Sequence, residues 1–368
     1  MGSLLKDVYS LEFYHMLSET LDGILPSFNR KQFIDSIFVQ DWPQKELKQR
    51  MRHTAEVLHQ FLPKDFKLAV PYLKQIANES THHERSDWGL AFMFLPDYIE
   101  QYGIHEYEHA VEAMECVTQL ISCEFAVRPF LIKYPEKMLK QMSIWSEHEH
   151  AFVRRLASEG LRPRLPWAMA LPMFKMDPTP IFPVLEKLKN DPHPSVRRSV
   201  ANNLNDIAKD HPDKVVHLAQ LWHGANKDVD AVVKHGCRTL LKKAHPEIMS
   251  LYGLDAQSIE LSQFMLETPI VPVGSSLRFS FCIHNLSEQN KNIRLEYGIS
   301  FLLNNGKFYK KIFKISEKNY SNNHKKCINK AHNFKVITTR KFYLGEHKLT
   351  IIINGQKFIE VPFQLVEA

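Results

Sequence analysis

Val153-Arg154-Arg155-Leu156-Ala157-Ser158-Glu159 and, 43 residues on, Val196-Arg197-Arg198-Ser199-Val200-Ala201-Asn202 are two copies of one block. The first runs into Gly160-Leu161-Arg162-Pro163-Arg164-Leu165-Pro166-Trp167, the second into Leu204-Asn205-Asp206-Ile207-Ala208-Lys209. A helical unit repeated at this period cannot bury its apolar face alone. It must stack on its neighbours, which reads as an α-solenoid. Three aligned helix pairs follow from the pattern: Met138–Trp145 before Phe152–Glu159, Ile181–Leu188 before Val196–Asp206, and Val215–Trp222 before Val232–Lys243. Helical spacing in Glu46–Leu62 and in Ala110–Phe125 extends the array toward the N-terminus. Residues 1–266 therefore read as an all-α repeat superhelix with a concave side.

After Glu267 the period changes to that of strands. Ser276–Ile283, Arg294–Leu302, Lys307–Ile315, Arg340–Tyr343, Lys348–Ile353 and Lys357–Leu365 are rich in β-branched and aromatic residues. Asn305-Gly306 and Asn354-Gly355 are hairpin signals. Six or seven short strands in residues 267–368 predict an immunoglobulin-like β-sandwich. Thr268–Pro272 is read as its linker and first strand, and the Asn- and Lys-dense Lys318–Asn333 as a long loop.

The chain carries a formal net charge of +6, and the distribution of that charge says more than the total. From Thr268 onward, 13 Lys and 3 Arg stand against 6 Glu, giving +10 and leaving −4 for the rest. A cationic module on a mildly acidic body points to an anionic partner such as nucleic acid, or to a lysine-decorated surface and nothing more. Five cysteines, Cys116, Cys123, Cys237, Cys282 and Cys327, show no pairing or metal-ligand spacing, which fits a reducing cytoplasm better than a disulfide framework. No apolar run is long enough for a bilayer, and Met1–Asp7 lacks the apolar core of a signal peptide.

At 100° per residue, Val196, Val200 and Ile207 share one helical face, and Arg198, Asn202, Asn205, Asp206 and Lys209 the other. Arg155 and Glu159 stand at i, i+4, as do Glu124 and Arg128 one repeat earlier. Single pairs of this kind are ordinary surface ion pairs worth a few tenths of a kcal/mol, about 0.3–0.5. Their alignment across three repeats predicts a groove. Arg154, Arg162, Arg164, Arg197 and Lys209 are read as uncommitted cations there, suited to phosphates. Trp167, beside them, would form a wall for a base or a sugar face.

Ser122–Phe130, Val153–Trp167 and Val196–Pro212 closely resemble the HEAT-like repeat alkylpurine DNA glycosylases of bacteria, specifically the AlkC type. The resemblance spans the helical region, and the C-terminal sandwich is similar to the immunoglobulin-like domain that many AlkC-type members append. It implies that Asp206, Glu159 and Glu124 are the active-site carboxylates, that Trp167 is an aromatic wall, and that Arg155 and Arg162 engage the DNA backbone. It implies excision of cationic alkylated bases without full base flipping, from sharply bent duplex DNA. The expected enzyme is a monofunctional glycosylase and a monomer. It would need no cofactor, metal, membrane or obligate protein partner, and the sandwich would embrace the duplex.

Two further readings compete. A repeat scaffold that binds protein or structured RNA explains the solenoid and the basic patches, but leaves three aligned carboxylates without purpose. His105-Glu106-Tyr107-Glu108-His109 matches the H-E-x-x-H zinc pattern, but no third-ligand motif follows it. His82-His83 and His148-Glu149-His150 read as solvated loop residues. Trp145 and Trp222, at equivalent repeat positions, read as core.

Overall fold

Capping and apolar spacing explain the helices that carry the two blocks. Ala151–Glu159 and Pro194–Ile207 each begin after a histidine, His150 and His193, whose ring nitrogen accepts the backbone N–H two residues on at 3.3 Å. Val196, Val200, Leu204 and Ile207 form the buried stripe of the second helix, and Val153, Leu156 and Ala157 that of the first. The two helices are tied by Ser158 Oγ donating to Ser199 Oγ at 2.5 Å, and by Asn203 Nδ2 donating to the Ser158 carbonyl at 2.9 Å. Gly160 ends the first block where the chain passes close to the preceding repeat. A Cβ there would lie 2.7 Å from Val127 Cγ2.

The computed structural model describes residues 4–81, 86–335 and 342–367, without the side chains of Ser86, Asp87 and Trp88. His82-His83 and part of the predicted strand Arg340–Tyr343 lie outside them. The helical repeats form as predicted: Pro135–Trp145 precedes Ala151–Glu159, Phe182–Leu188 precedes Pro194–Ile207, and Pro212–Trp222 precedes Lys227–Gly236. No helix among the described residues is long and apolar enough to cross a membrane. By contacts the chain divides into two units, Met1–His211 with Trp222–Gly236, and Pro212–Leu221 with Cys237–Ala368.

The second unit carries eight strands among the described residues: β1 (Ile259–Leu266), β2 (Ile270–Pro272), β3 (Ser276–Asn285), β4 (Lys291–Leu302), β5 (Phe308–Tyr320), β6 (Lys325–Asn333), β7 (Gly345–Ile353) and β8 (Gln356–Val366). They form two sheets, ordered β1-β3-β6 and β2-β8-β7-β4-β5, with every pairing antiparallel except β2 with β8. Phe279, Phe281, Leu295, Ile299, Leu349 and Ile351 stand in the core between them. Asn354 and Gly355, at φ 46° and 78°, turn β7 into β8.

Three expectations need correction. Ile259–Leu266, read as helical, is strand β1; a bulge between Ser262 and Met265 breaks the alternation that would have marked it as a strand. Lys318–Asn333, read as a loop, holds the end of β5 and all of β6. As an edge strand β6 buries only His332, so it lacks the apolar alternation of a central strand. Cys282 and Cys327, expected to be unpaired, form a disulfide. They are opposite residues in the β3–β6 register, and a sequence separation of 45 hides a contact that sheet pairing creates.

Candidate active site

Three repeats bring their charged side chains into one alternating chain. Arg155 Nη1 donates to Glu124 Oε2 at 2.9 Å, and its Nη2 lies 3.7 Å from Glu159 Oε1. The same Glu159 oxygen accepts from Arg162 Nη1 at 2.5 Å. Arg162 Nε donates to Asp206 Oδ2 at 2.8 Å, and Lys209 Nζ to Asp206 Oδ1, also at 2.8 Å. The order Glu124, Arg155, Glu159, Arg162, Asp206, Lys209 thus alternates in sign from end to end. Alternation is what lets so many charges stand together, because each desolvated carboxylate keeps a cation and a hydrogen bond. The middle is deeply set: side-chain exposure is 5% for Glu159, 9% for Arg162 and 3% for Asp206, against 20% for Glu124 and 41% for Lys209 at the ends.

The i, i+4 pairing read from the sequence is only partly what forms. Glu124 lies in a turn, ahead of the Val127–Lys133 helix, and its partner is Arg155 of the next repeat rather than Arg128. Arg128 is fully buried and donates to three carbonyls, those of Met169 at 2.5 Å, Gly160 at 3.1 Å and Arg162 at 2.9 Å. Burial, and then the nearby Arg162 charge, pull its pKa down to about 10. Arg128 therefore pins both ends of the loop that carries Arg162 and Trp167.

Trp167 is 58% exposed and sits at φ 65°, a left-handed conformation that costs a bulky L-residue roughly 1–3 kcal/mol. Lys48 Nζ donates to its carbonyl, holding that conformation from a different helix. The stiff Arg162–Trp167 connector thus projects an indole beside the carboxylate chain.

All five cations expected to be uncommitted have carboxylate partners. Arg154 grips Asp191 through two nitrogens at 2.6 and 3.1 Å, and also donates to the His148 and Glu149 carbonyls. Arg197 repeats the arrangement, with the Asp191 and Pro192 carbonyls and with Asp228 at 3.1 Å. Arg164 pairs with Asp210 at 2.6 and 3.1 Å, and Arg162 is held as described. Lys209, read the same way, is on Asp206. Arg198 is exposed and without an ion-pair partner among the described residues. For Arg154 and Arg197 the cause is the repeat itself: each block's first arginine lies one turn above the loop that precedes its helix, and satisfies that loop's carbonyls.

Sequence reasoning gave no role to Ser122, Lys48 or Asp191. Ser122 Oγ donates to Glu124 Oε2 at 2.9 Å and accepts from Arg155 Nη1 at 3.3 Å. Its position two residues before Glu124 was the only available signal. In the H-E-x-x-H segment the helix starts at Tyr107, so His105 stands outside it beside Lys133, while His109 lies 3.6 Å from Glu106.

Chemically, the chain offers anionic oxygen in a groove otherwise rich in cations. Glu124 Oε1 and Glu159 Oε2 carry no hydrogen bond among the described residues, whereas both oxygens of Asp206 are engaged. Such an arrangement can stabilise a developing positive charge and orient a water molecule beside it.

Residues 64–244 match the family described as DNA alkylation repair enzyme, and residues 260–367 match the C-terminal Ig-like domain of YhaZ. The chain is 42% identical over 362 residues to YhaZ of Bacillus subtilis (strain 168), covering 98% of this chain and 99% of that protein. Among solved structures it is similar to the Pseudomonas fluorescens alkylpurine DNA glycosylase AlkC, bound to DNA containing an abasic site analog. The TM-score is 0.92 at 29% identity, over 99% of this chain and 100% of that one. The chain belongs to the DNA alkylation repair enzyme family, as an AlkC-type DNA glycosylase carrying an immunoglobulin-like domain of the YhaZ kind.

Proposed function

We propose that the enzyme hydrolyses the N-glycosidic bond of cationic alkylated bases in duplex DNA, leaving an abasic site for base excision repair in the bacterial cytoplasm. The first candidate lesion is 3-methyladenine and the second is 3-methylcytosine. The observation that carries this reading is the alternating chain from Glu124 to Lys209, set in the repeats of a DNA alkylation repair fold.

An N3-alkylated base already carries positive charge, so it departs neutral and needs no general acid. As the bond breaks, positive charge moves to the deoxyribose, as in oxocarbenium-like glycoside hydrolysis. Asp206 and Glu159 would face that sugar, with Glu124 assisting. Lys209, on an exposed and flexible stem, can leave Asp206 as the sugar cation forms and turn to a phosphate. Glu159, with one oxygen unbonded, is suited to accept a proton from the attacking water. Trp167 would lie against the sugar or base, and Arg155, Arg198 and Arg164 along the backbone. Arg154, Arg197 and Arg128 support the groove from behind. A groove that reaches the sugar of bent DNA needs no full flipping of the base. No obligate protein partner enters this scheme, and the enzyme would act as a monomer without metal or cofactor.

The test is release of free methylated base from alkylated duplex DNA by the purified protein, with no metal added. Asp206→Asn and Glu159→Gln are each expected to lower single-turnover excision roughly 100-fold or more, with DNA affinity near wild type. Full activity in both variants overturns the assignment.

A further inference from the structure

Beside the carboxylate chain, and bordered by Trp167 and by the Ser122 that bonds Glu124, the helical unit holds a cleft of about 200 Å³. That is below the roughly 300–1,000 Å³ of pockets that take drug-sized ligands, and is a size for a single heterocycle. Its walls are flat and polarisable: Phe125 and Trp167 with Met51 and Met93, the side chains that pack on planar rings. Lys48, Arg52, Asp97 and Glu100 supply the charges.

Three of these four are already occupied. Lys48 donates to the Trp167 carbonyl and stands 5.5 Å from the Phe125 ring centre. Arg52 Nε and Nη2 bind the two Asp97 oxygens at 2.8 and 2.9 Å, and Gln101 adds a third hydrogen bond to Asp97 at 2.8 Å. Glu100, half-buried, has no hydrogen-bond or ion-pair partner among the described residues. Burial, then the charge of Asp97, push its pKa up to about 7. A carboxyl in that range donates when protonated and accepts when ionised. It therefore suits the mixed donor and acceptor edge of a purine. A phosphate would meet two carboxylates here, and a metal ion would meet thioethers and rings.

We infer that this cleft is a subsite for the excised alkylpurine, which lies on the Phe125 and Met51 wall and is hydrogen-bonded through the Glu100 carboxyl. The inference rests on the glycosylase reading. A base released neutral from the groove meets an apolar cleft with one hydrogen-bonding carboxyl beside it, so the cleft would hold product after the bond is broken.

The experiment is isothermal titration of the full-length protein with free 3-methyladenine, without DNA. Wild type is expected to bind one equivalent saturably, and Glu100→Ala to weaken binding about tenfold or more. Met51→Trp, which fills the cleft from another helix, is expected to do the same should Glu100→Ala fail to fold. Single-turnover excision by both variants should stay within about threefold of wild type. A protein that excises base but binds none, or one whose two variants bind undiminished, overturns the subsite and leaves the glycosylase reading standing. A protein that binds base but excises none overturns the glycosylase reading, and with it the product role of the cleft.

Discussion

At the scale of single residues, the doubled arginines divide their work. Arg154 and Arg197 face the preceding loop, each bonded to two carbonyls and a carboxylate, while Arg155 joins the carboxylate chain through Glu124 and Arg198 is exposed. Arg154→Ala leaves Asp191 buried without its main partner and is expected to cost about 2–4 kcal/mol of stability, read as a lower thermal midpoint. Arg155→Ala should melt near wild type and lose excision. The opposite assignment of effects would overturn this division. Glu100 makes a second residue-level prediction. Its folded pKa lies above the unfolded carboxylate value, so the folded state holds the proton more tightly. The resulting stabilisation is fully present below about pH 4.5 and is lost as pH rises through 7, with Asp97 shifted in the same direction. Between pH 5 and 8 its contribution is on the order of 1–2 kcal/mol. Thermal melts of Glu100→Gln across that range should be flatter than those of wild type.

At the scale of elements, the repeats reuse devices that a hydrophobic pattern does not display. Trp145 and Trp222 end equivalent helices, both fully buried as the sequence indicates. Each indole Nε1–H donates to a carboxylate at 2.7 Å, Glu115 for the first and Glu186 for the second. Replacing either carboxylate by alanine orphans a buried donor and is expected to cost about 1–3 kcal/mol. Equal melting of Glu115→Ala and wild type would show that water satisfies that indole. The Arg162–Trp167 connector shows the limit in the other direction. Its Pro and Arg content marked it as more than a link, but contacts from other repeats, Arg128 beneath it, Lys48 across from it and the carboxylates that hold Arg162 and Arg164, keep it in one shape.

At the scale of the whole molecule, charge is divided by region, and the C-terminal part carries its excess of lysine on exposed strands. Lys325, Lys326 and Lys330 lie on the edge strand β6. If this region contacts DNA phosphates, replacing the three by alanine should weaken DNA binding uniformly across sequences. It should also reduce the slope of log K against log salt by up to about 0.9 per lysine. An unchanged slope would remove β6 from the DNA-binding surface, without touching the carboxylate chain.

Periodicity and repetition are local properties of a chain, so the helical repeats and the change to strands were legible without a structure, and repetition also singled out three carboxylates as candidates. Which charges meet depends on how the repeats stack. Glu124 takes Arg155 rather than Arg128, since a turn replaces the helix that an i, i+4 pair requires. The start of the sheet at Ile259 and the Cys282–Cys327 bond were hidden for the same reason. Strand pairing and stacking bring together residues whose separation along the chain carries no signal. The second arginine of the opening block is thus a functional candidate and the first a brace, a distinction that two identical letters could not make.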